Sequence, residues 1–228
     1  MKNSNSKPEI KMIMLGESGV GKTSIINLFL DKNFNQHEKT SLSAKFTSRV
    51  MEFPDLNQSI KFDIWDTVGQ EKYRSLTKIF YKSAKIIIFV YDIISDRNFE
   101  ELKAYWYQEA KNSCDGSPVF AVVANKIDLY EEAKVTDEEG KKFADEIGAI
   151  FQKTSALSNQ GIDILFKNIG KKYLNPNFNY EETDTKAKQE YMKKKNEKNK
   201  QNSKNAKNNT VKLKKEESEQ EKKEKKCC

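Results

Sequence analysis

The sequence predicts an α/β fold in which helices cover both faces of a mostly parallel β-sheet. Two observations support this prediction. Apolar segments typical of buried strands alternate along the chain with segments of helical spacing. Two further strand segments, separated only by turn-forming residues, form a candidate antiparallel hairpin at one edge. Because ligands of such sheets bind in the loops at the carboxyl ends of the strands, the functional residues are expected in those loops.

The first half of the chain contains a strand, a helix and the hairpin. Residues 10–15 (IKMIML) are typical of a buried strand that ends at a glycine, and residues 22–32 are amphipathic with helical spacing. Residues 45–53 and 59–65 both alternate between polar and apolar side chains. This alternation predicts the hairpin, which adds one antiparallel strand to the sheet.

The second half of the chain alternates strands with helices. Residues 84–91 (AKIIIFVY) are a continuous apolar run, typical of a central parallel strand, and residues 119–124 (VFAVVA) are another. The other predicted elements are a short strand and three helices, at residues 149–152 and at 99–110, 137–147 and 162–173.

Composition divides the chain into a folded part and a polar tail. From residue 175 onward, 16 lysines face 10 acidic residues, so most of the net charge of +7 lies there. The folded part therefore offers no basic block typical of nucleic-acid binding. We predict an N-terminal extension at 1–8, one domain at 9–174, a disordered Lys/Glu/Asn-rich tail at 175–226 and a terminal dicysteine at 227–228.

The cysteines and apolar runs indicate a reducing, intracellular environment. Three cysteines give no disulfide framework, and Cys114 lacks the neighbours of a metal ligand or nucleophile, so we expect it to be structural. No signal peptide or membrane-spanning run is expected. The single histidine, His37, is expected to be a solvated loop residue.

The first predicted strand is followed by a phosphate-binding motif. The sequence GESGVGKT fits G-x-x-x-x-G-K-[ST] and lies between a predicted strand and a predicted helix. Glycines let the backbone wrap a phosphate, and the helix start adds positive charge. We expect Lys22 to reach the β- and γ-phosphates and the Thr23 hydroxyl to bind Mg²⁺. The expected phosphate contacts are Glu17, Ser18, Gly19, Val20, Gly21, Lys22, Thr23 and Ser24.

A second motif, NKID, follows the strand VFAVVA and is expected to select the base. The Asp128 carboxylate can accept hydrogen bonds from guanine N1–H and N2–H₂, which adenine lacks. The Lys126 stem can lie along the base, and Asn125 can tie this loop to the phosphate loop. A backbone N–H for guanine O6 is expected from the loop after the last strand, at Ser155, Ala156 or Leu157.

Two further segments are candidate sensors of the γ-phosphate. In the sequence DTVGQ, Asp66 can hold Mg²⁺ through water, Gly69 can donate its N–H to the γ-phosphate, and Gln70 can orient the attacking water. In the segment before the hairpin, Ser41 is the candidate Mg²⁺ ligand and Thr40 is the alternative. Such a segment would be ordered by γ-phosphate and Mg²⁺.

These motifs, in this order, resemble the Ras superfamily of small GTPases. The resemblance covers residues 10–174 and rests on GESGVGKT, WDTVGQE, NKID and TSAL. EKYRSLT, YDI and the terminal Cys-Cys are similar to the Rab family within it. The resemblance implies a Ras-like phosphate-loop domain, with a six-stranded, mostly parallel sheet, an antiparallel edge hairpin and about five helices. It also implies exchange factors, GTPase-activating proteins, a dissociation inhibitor and effectors.

The resemblance assigns roles to four aromatic residues. Phe34 resembles the aromatic residue that packs edge-on against guanine. Phe46, Trp65 and Phe80 resemble the family's aromatic triad on the effector face. For Trp65 the alternative is ordinary packing in the sheet.

The chain ends in a candidate lipid anchor. In Rab proteins a terminal pair such as Cys227-Cys228 is doubly geranylgeranylated, and two lipid chains give stable anchoring. Neighbouring lysines would add attraction to an anionic leaflet, which the interleaved glutamates weaken.

Three departures from the family pattern bear on hydrolysis. Ser41 stands where Thr is usual, Ser43 where Gly is usual, and Val68 where Ala is usual. These departures leave open one alternative, a GTP-binding scaffold with impaired hydrolysis. The basic tail leaves open a second, an interaction protein that binds RNA or acidic lipid through that tail. No arginine is an obvious internal finger, so fast hydrolysis is expected to need one in trans.

Overall fold

The computed structural model describes residues 7–30, 45–66 and 78–180. Six strands in these ranges form one sheet: β1 (Glu9–Leu15), β2 (Lys45–Phe53), β3 (Gln58–Asp66), β4 (Ile86–Asp92), β5 (Val119–Asn125) and β6 (Ile150–Lys153). Their order across the sheet is β2-β3-β1-β4-β5-β6. All neighbouring strands are parallel except β2 and β3. The predicted fold class is confirmed.

Five helices flank this sheet within the described residues. Four are regular: α1 (Lys22–Phe29), α2 (Lys78–Tyr81), α4 (Asp137–Glu146) and α5 (Ile162–Leu174). The helix α3 spans residues 96–113 in three consecutive segments, Asp96–Glu101, the π-helical Leu102–Trp106 and Tyr107–Ser113. Short 3₁₀ turns lie at Pro54–Leu56 and Ile127–Glu132.

The apolar run of β4 forms the centre of the core. Every residue of Ile86–Asp92 is buried, because β4 lies between β1 and β5 and is covered by helices on both faces. On one face, Phe89, Phe99, Leu102 and Trp106 belong to a continuous apolar cluster. On the other face, the ring of Phe29 in α1 stacks on the ring of Phe166 in α5.

The helix α3 is longer than the predicted helix at 99–110. It begins three residues earlier because the Ser95 side chain accepts a hydrogen bond from the Asn98 N–H, at 3.2 Å, and caps the first turn. In α4 the predicted start is matched by a capping box between Thr136 and Glu139. This hydrogen bonding holds the pKa of the Glu139 carboxyl below its usual value.

The end of the first helix also differs from the prediction. The helix α1 ends at Phe29 rather than at residue 32, and Leu30 caps it through a hydrogen bond to Ile26 O. The first of the two compact units of the chain ends at Phe178. The Lys172 ammonium donates to Pro176 O at 2.7 Å, which holds the chain against the end of α5. Among the described residues, no helix is long and apolar enough to cross a bilayer.

Candidate functional site

The strand register brings the candidate loops to one edge of the sheet. Met14 of β1 pairs with Asp66 of β3, and Leu15 pairs with Phe89 of β4. Asp92, at the end of β4, pairs with Asn125 at the end of β5. Because these strands are parallel, the segments that follow them start side by side.

At two glycines of the phosphate loop, a side chain would collide with a neighbouring residue. Gly16 has φ 140°, and a Cβ there would lie 2.1 Å from the carbonyl oxygen of Val90. Gly21 has φ 99°, and a Cβ there would lie 2.3 Å from Nδ2 of Asn125. The loop is therefore packed against β4 on one side and against the base loop on the other.

The Lys22 ammonium lies inside the phosphate loop. Lys22 is only 5% exposed, and its Nζ donates to Gly16 O at 2.8 Å and to Glu17 O at 2.7 Å. Lys22 is also the first residue of α1, whose first turn, KTSI, carries no acidic side chain. A buried cation and an N-terminal helix end together favour an anion at this position.

A hydroxyl and a carboxylate meet beside that helix start. Thr23 Oγ1 donates to Asp66 Oδ2 at 2.7 Å, and the Asp66 residue is 2% exposed. Hard divalent cations such as Mg²⁺ prefer oxygen ligands of this kind, so the pair fits Mg²⁺. No cluster of three or more His, Cys, Asp or Glu able to hold a metal occurs within residues 7–30, 45–66 and 78–180. Further ligands would have to come from a bound nucleotide, water or the segments outside those ranges.

Asn125 connects three loops of the site. Its Nδ2 donates to Val20 O in the phosphate loop at 2.8 Å. Its Oδ1 accepts from the hydroxyl of Thr154, the residue after β6, at 3.0 Å. The Thr154 carbonyl in turn accepts from the Ile127 N–H. Since Asn125 and Thr154 are both buried, these hydrogen bonds fix the relative positions of the loops.

The carboxylate of Asp128 is held by the loop that follows β6. Ser155 Oγ donates to Asp128 Oδ1 at 2.5 Å and accepts from the Ser158 N–H at 3.1 Å. Ser155 and Gln160 also exchange backbone hydrogen bonds, which close this loop. Ala156 next to Ser155 is buried, and Leu157 is exposed. The two loops predicted to contact guanine therefore meet at Asp128 and Ser155.

Lys126 has an acidic partner that the sequence analysis did not assign. Its backbone is left-handed, with φ 63°, and its Nζ donates to Asp92 Oδ2 at 3.1 Å. The same oxygen accepts from Asn98 Nδ2 at 3.2 Å, and Asp92 is buried. The available signal was the position of Asp92, an acidic residue directly after the apolar run of β4.

The three aromatic residues of the expected effector face contact one another. The Trp65 ring centroid lies 5.3 Å from that of Phe46 and 5.7 Å from that of Phe80. Phe46 is 54% exposed, and Trp65 and Phe80 are partly exposed. The Trp65 ring therefore packs on the sheet and also against the other two rings. Together the three rings form an aromatic surface that is open to solvent.

Cys114 lies away from these loops. It is half-buried against the core, and burial with the nearby Asp115 raises the pKa of its thiol to about 11. A thiol with so high a pKa is a poor nucleophile at neutral pH.

The remaining predicted site residues lie outside the described part of the chain. They are the base-packing residue, the switch and catalytic residues, the histidine and the lipid attachment sites: Phe34, His37, Thr40, Ser41, Ser43, Val68, Gly69, Gln70, Cys227 and Cys228.

Comparisons with known proteins agree with this geometry. The Ras family model matches residues 11–175. The chain is 36% identical over 172 residues to the Ras-related protein Rab-5A of Dictyostelium discoideum, covering 75% of this chain and 84% of that protein. It is 35% identical over 170 residues to the Ras-related protein RHN1 of Nicotiana plumbaginifolia, with the same coverages of 75% and 84%. It is also 36% identical over 162 residues to the Ras-related protein Rab5 of Nicotiana tabacum, covering 71% and 80%.

Proposed function

Because the chain belongs to the Ras family, as a small GTPase of the Rab type, we propose that it is a membrane-anchored switch. It binds GTP and GDP with Mg²⁺, slowly hydrolyses GTP to GDP and phosphate, and recruits effectors in vesicle trafficking. The observation that carries this proposal is the hydrogen-bond chain from Val20 through Asn125 to Thr154. That chain joins the loop assigned to phosphate binding to the two loops assigned to base binding.

Phosphate binding is assigned to the loop at residues 16–23. The Lys22 ammonium, now held by two loop carbonyls, would exchange one or both for oxygens of the β- and γ-phosphates. The same charge neutralises the phosphates before and during hydrolysis, which is how this reaction is mostly catalysed. Ser24 in the first turn of α1 and the loop N–H groups supply further donors.

Mg²⁺ binding is assigned to Thr23 and Asp66, with Ser41 as a third contributor. When bound, Mg²⁺ supplies positive charge that neutralises the phosphate oxygens. The Thr23 hydroxyl and the Asp66 carboxylate, 2.7 Å apart, support this assignment because both offer oxygen at the start of α1.

Guanine selection is assigned to Asp128, supported by the neighbouring loop. The Asp128 carboxylate accepts from the N1–H and N2–H₂ of guanine, and Ser155 Oγ fixes its orientation. A backbone N–H of the same loop, at Ser155, Ala156 or Leu157, is assigned to guanine O6. The Asp92 carboxylate holds the Lys126 stem where the base would stack, and Phe34 packs on the base edge. Adenine would leave Asp128 without donors, which can discriminate by about 10⁴-fold.

Hydrolysis and regulation are assigned to the switch segments. Gln70 orients the attacking water and Gly69 contacts the γ-phosphate, while fast turnover needs an arginine from an activating protein. Exchange factors and a dissociation inhibitor complete the cycle. Effectors contact the exposed aromatic surface of Phe46, Trp65 and Phe80.

Membrane attachment is assigned to geranylgeranyl groups on Cys227 and Cys228. Two lipid chains give stable anchoring without a membrane-spanning segment. The Lys-rich tail at residues 175–226 links these cysteines to the folded part. The protein then works on the cytoplasmic face of endomembranes and cycles with the cytosol.

Single-turnover phosphate release tests the proposal. Full-length protein is loaded with GTP and Mg²⁺, and an identical sample is offered ATP. Slow release from GTP alone, on the order of 10⁻⁴ s⁻¹, is the expected result. Tight GTP binding without release favours the GTP-binding scaffold instead, and directs attention to Ser41, Ser43 and Val68. If GTP is not retained, the proposed function is wrong.

A further inference from the structure

A buried tryptophan of α3 is hydrogen-bonded to the phosphate loop. Trp106 is 1% exposed, and its indole Nε1 donates to Glu17 Oε1 at 3.0 Å, across 89 residues of sequence. A buried indole N–H needs an acceptor, and a carboxylate makes that hydrogen bond strong. The contact therefore fixes the Glu17 side chain against α3.

Glu17 also receives the Lys22 ammonium. The Glu17 carbonyl oxygen accepts from Lys22 Nζ at 2.7 Å, while the Glu17 carboxylate accepts from Trp106. The two oxygens belong to one residue: the indole holds the Glu17 carboxylate, and a held side chain restricts the backbone that carries the carbonyl. Glu17 therefore links the indole to the cation assigned to phosphate binding.

Two further hydrogen bonds hold the phosphate loop, besides the one from Trp106. Asn125 holds the middle of the loop at Val20, and Asp66 holds its end at Thr23. Trp106 holds the loop near its beginning, at Glu17, before the exposed Gly19. The three residues that hold the loop are Trp106, Asn125 and Asp66. They lie in α3, β5 and β3, which are separate elements of the core.

Trp106 itself is part of the buried core. Trp106 ends the π-helical segment Leu102–Trp106 and belongs to the apolar cluster that contains Phe89 and Leu102. Its ring also contacts the Tyr105 ring, with centroids 5.1 Å apart. π-helical turns within α-helices are often found at functional sites.

We propose that Trp106 is a positioning residue for nucleotide retention, because its indole N–H holds Glu17, and through Glu17 the Lys22 ammonium, in the phosphate-binding arrangement. The inference rests on the proposed function, since the retained ligand is a guanine nucleotide. Trp106 is buried in the core and acts through Glu17.

Dissociation of a fluorescent GDP analogue from the full-length protein tests this inference. The analogue is loaded with Mg²⁺ and chased with excess GDP. Trp106→Phe keeps an aromatic ring but loses the N–H, and is expected to speed dissociation about tenfold. The matched control is Ser113→Ala, which removes the hydrogen bond from Ser113 to Glu109 on the same helix, at 3.2 Å. The control is expected to dissociate at the wild-type rate.

Changes at Glu17 test the same contact from the loop side and leave the core intact. Glu17→Ala removes the acceptor and is expected to speed dissociation about as much as Trp106→Phe. Glu17→Gln keeps a weaker, neutral acceptor and is expected to fall between Glu17→Ala and wild type. This order of rates would not follow from a role of Trp106 in core packing alone.

The double variant Trp106→Phe/Glu17→Ala separates positioning from packing. If Trp106 acts through Glu17, the double variant dissociates no more than about twofold faster than Glu17→Ala. Fully multiplicative effects, or a Trp106→Phe rate equal to that of Ser113→Ala, would overturn the inference. If Trp106→Phe does not fold, a wild-type rate in Glu17→Ala overturns it instead. Failure of the wild-type protein to hold GDP would count against the proposed function, and is seen before any variant is compared.

Discussion

Replacing Gly21 by alanine should introduce two separate energetic costs. One is the strain of the left-handed backbone, and the other is the collision of the added Cβ with Asn125. Gly21 has φ 99°, a conformation that costs an L-residue about 1–2 kcal/mol. The added Cβ would lie 2.3 Å from Asn125 Nδ2, which must then leave Val20 O. Breaking that buried hydrogen bond costs about 1–3 kcal/mol more. We therefore expect Gly21→Ala to lower the free energy of unfolding by about 3 kcal/mol in saturating GDP and Mg²⁺.

The collision should also weaken nucleotide binding. Without nucleotide, Asn125 can move aside, but a bound nucleotide needs the base loop and phosphate loop together. About 2 kcal/mol of the cost then becomes a loss of affinity, or roughly 30-fold in the Kd for GDP. Isothermal titration of the nucleotide-free protein with GDP and Mg²⁺ measures this Kd, and urea unfolding in saturating GDP measures the stability.

Gly116→Ala is the matched control for the strain. Gly116 has φ 84°, lies in the loop after α3, and has open space where a Cβ would be placed. This variant should lose only about 1–2 kcal/mol of unfolding free energy and keep the wild-type Kd for GDP. Equal stability losses in the two variants, with unchanged GDP affinity in Gly21→Ala, would refute the reasoning from the Gly21–Asn125 contact.

Three further predictions concern the reaction, the metal and the buried thiol. Gln70→Leu should lower single-turnover GTP hydrolysis by at least about tenfold while GTP binding persists, and equal rates would remove Gln70 from the mechanism. Thr23→Asn loses the hydroxyl that meets Asp66, so its GTP affinity in Mg²⁺ should fall by at least about tenfold. A GTP affinity equal to wild type would make the metal assignment wrong. In a variant whose Cys227 and Cys228 are serine, Cys114 should react with iodoacetamide more slowly than a free thiol, and faster as the pH rises from 7 to 9. Because burial raises the pKa of the Cys114 thiol from its usual 9.0 to about 11, Cys114 stabilises the fold below pH 9 and loses this contribution as the pH rises towards 11. Reaction as fast as a small free thiol at pH 7 would contradict the burial of Cys114.

The site works through contacts that span the chain. Asn125 and Val20 are 105 residues apart in sequence, and Trp106 and Glu17 are 89 apart. A substitution in α3 or at the end of β5 can therefore change the phosphate loop from a distant part of the sequence. This is why dissociation rates, rather than hydrolysis alone, are the informative measurement for such residues.

The local chemistry of the site was predictable from the sequence. The apolar run of β4 indicates a central strand because a strand with both faces covered has no polar face. GESGVGKT and NKID place a lysine, a hydroxyl and a carboxylate directly after strands, which restricts them to one edge of a parallel sheet. These conclusions depend on residue type and short spacing, which are properties of the sequence itself.

Only the tertiary structure decided which residues support those motifs. Asp92 as the partner of Lys126, and Trp106 as the partner of Glu17, arise where β4 and α3 approach the loops. The π-helical segment of α3 is likewise set by packing, since its sequence LKAYW carries no Pro or Gly to mark it. Long-range partners depend on strand register and helix packing, which are collective results of the whole core. For that reason the sequence by itself determined which functional groups are available to this candidate site, and the fold decided how those groups are held.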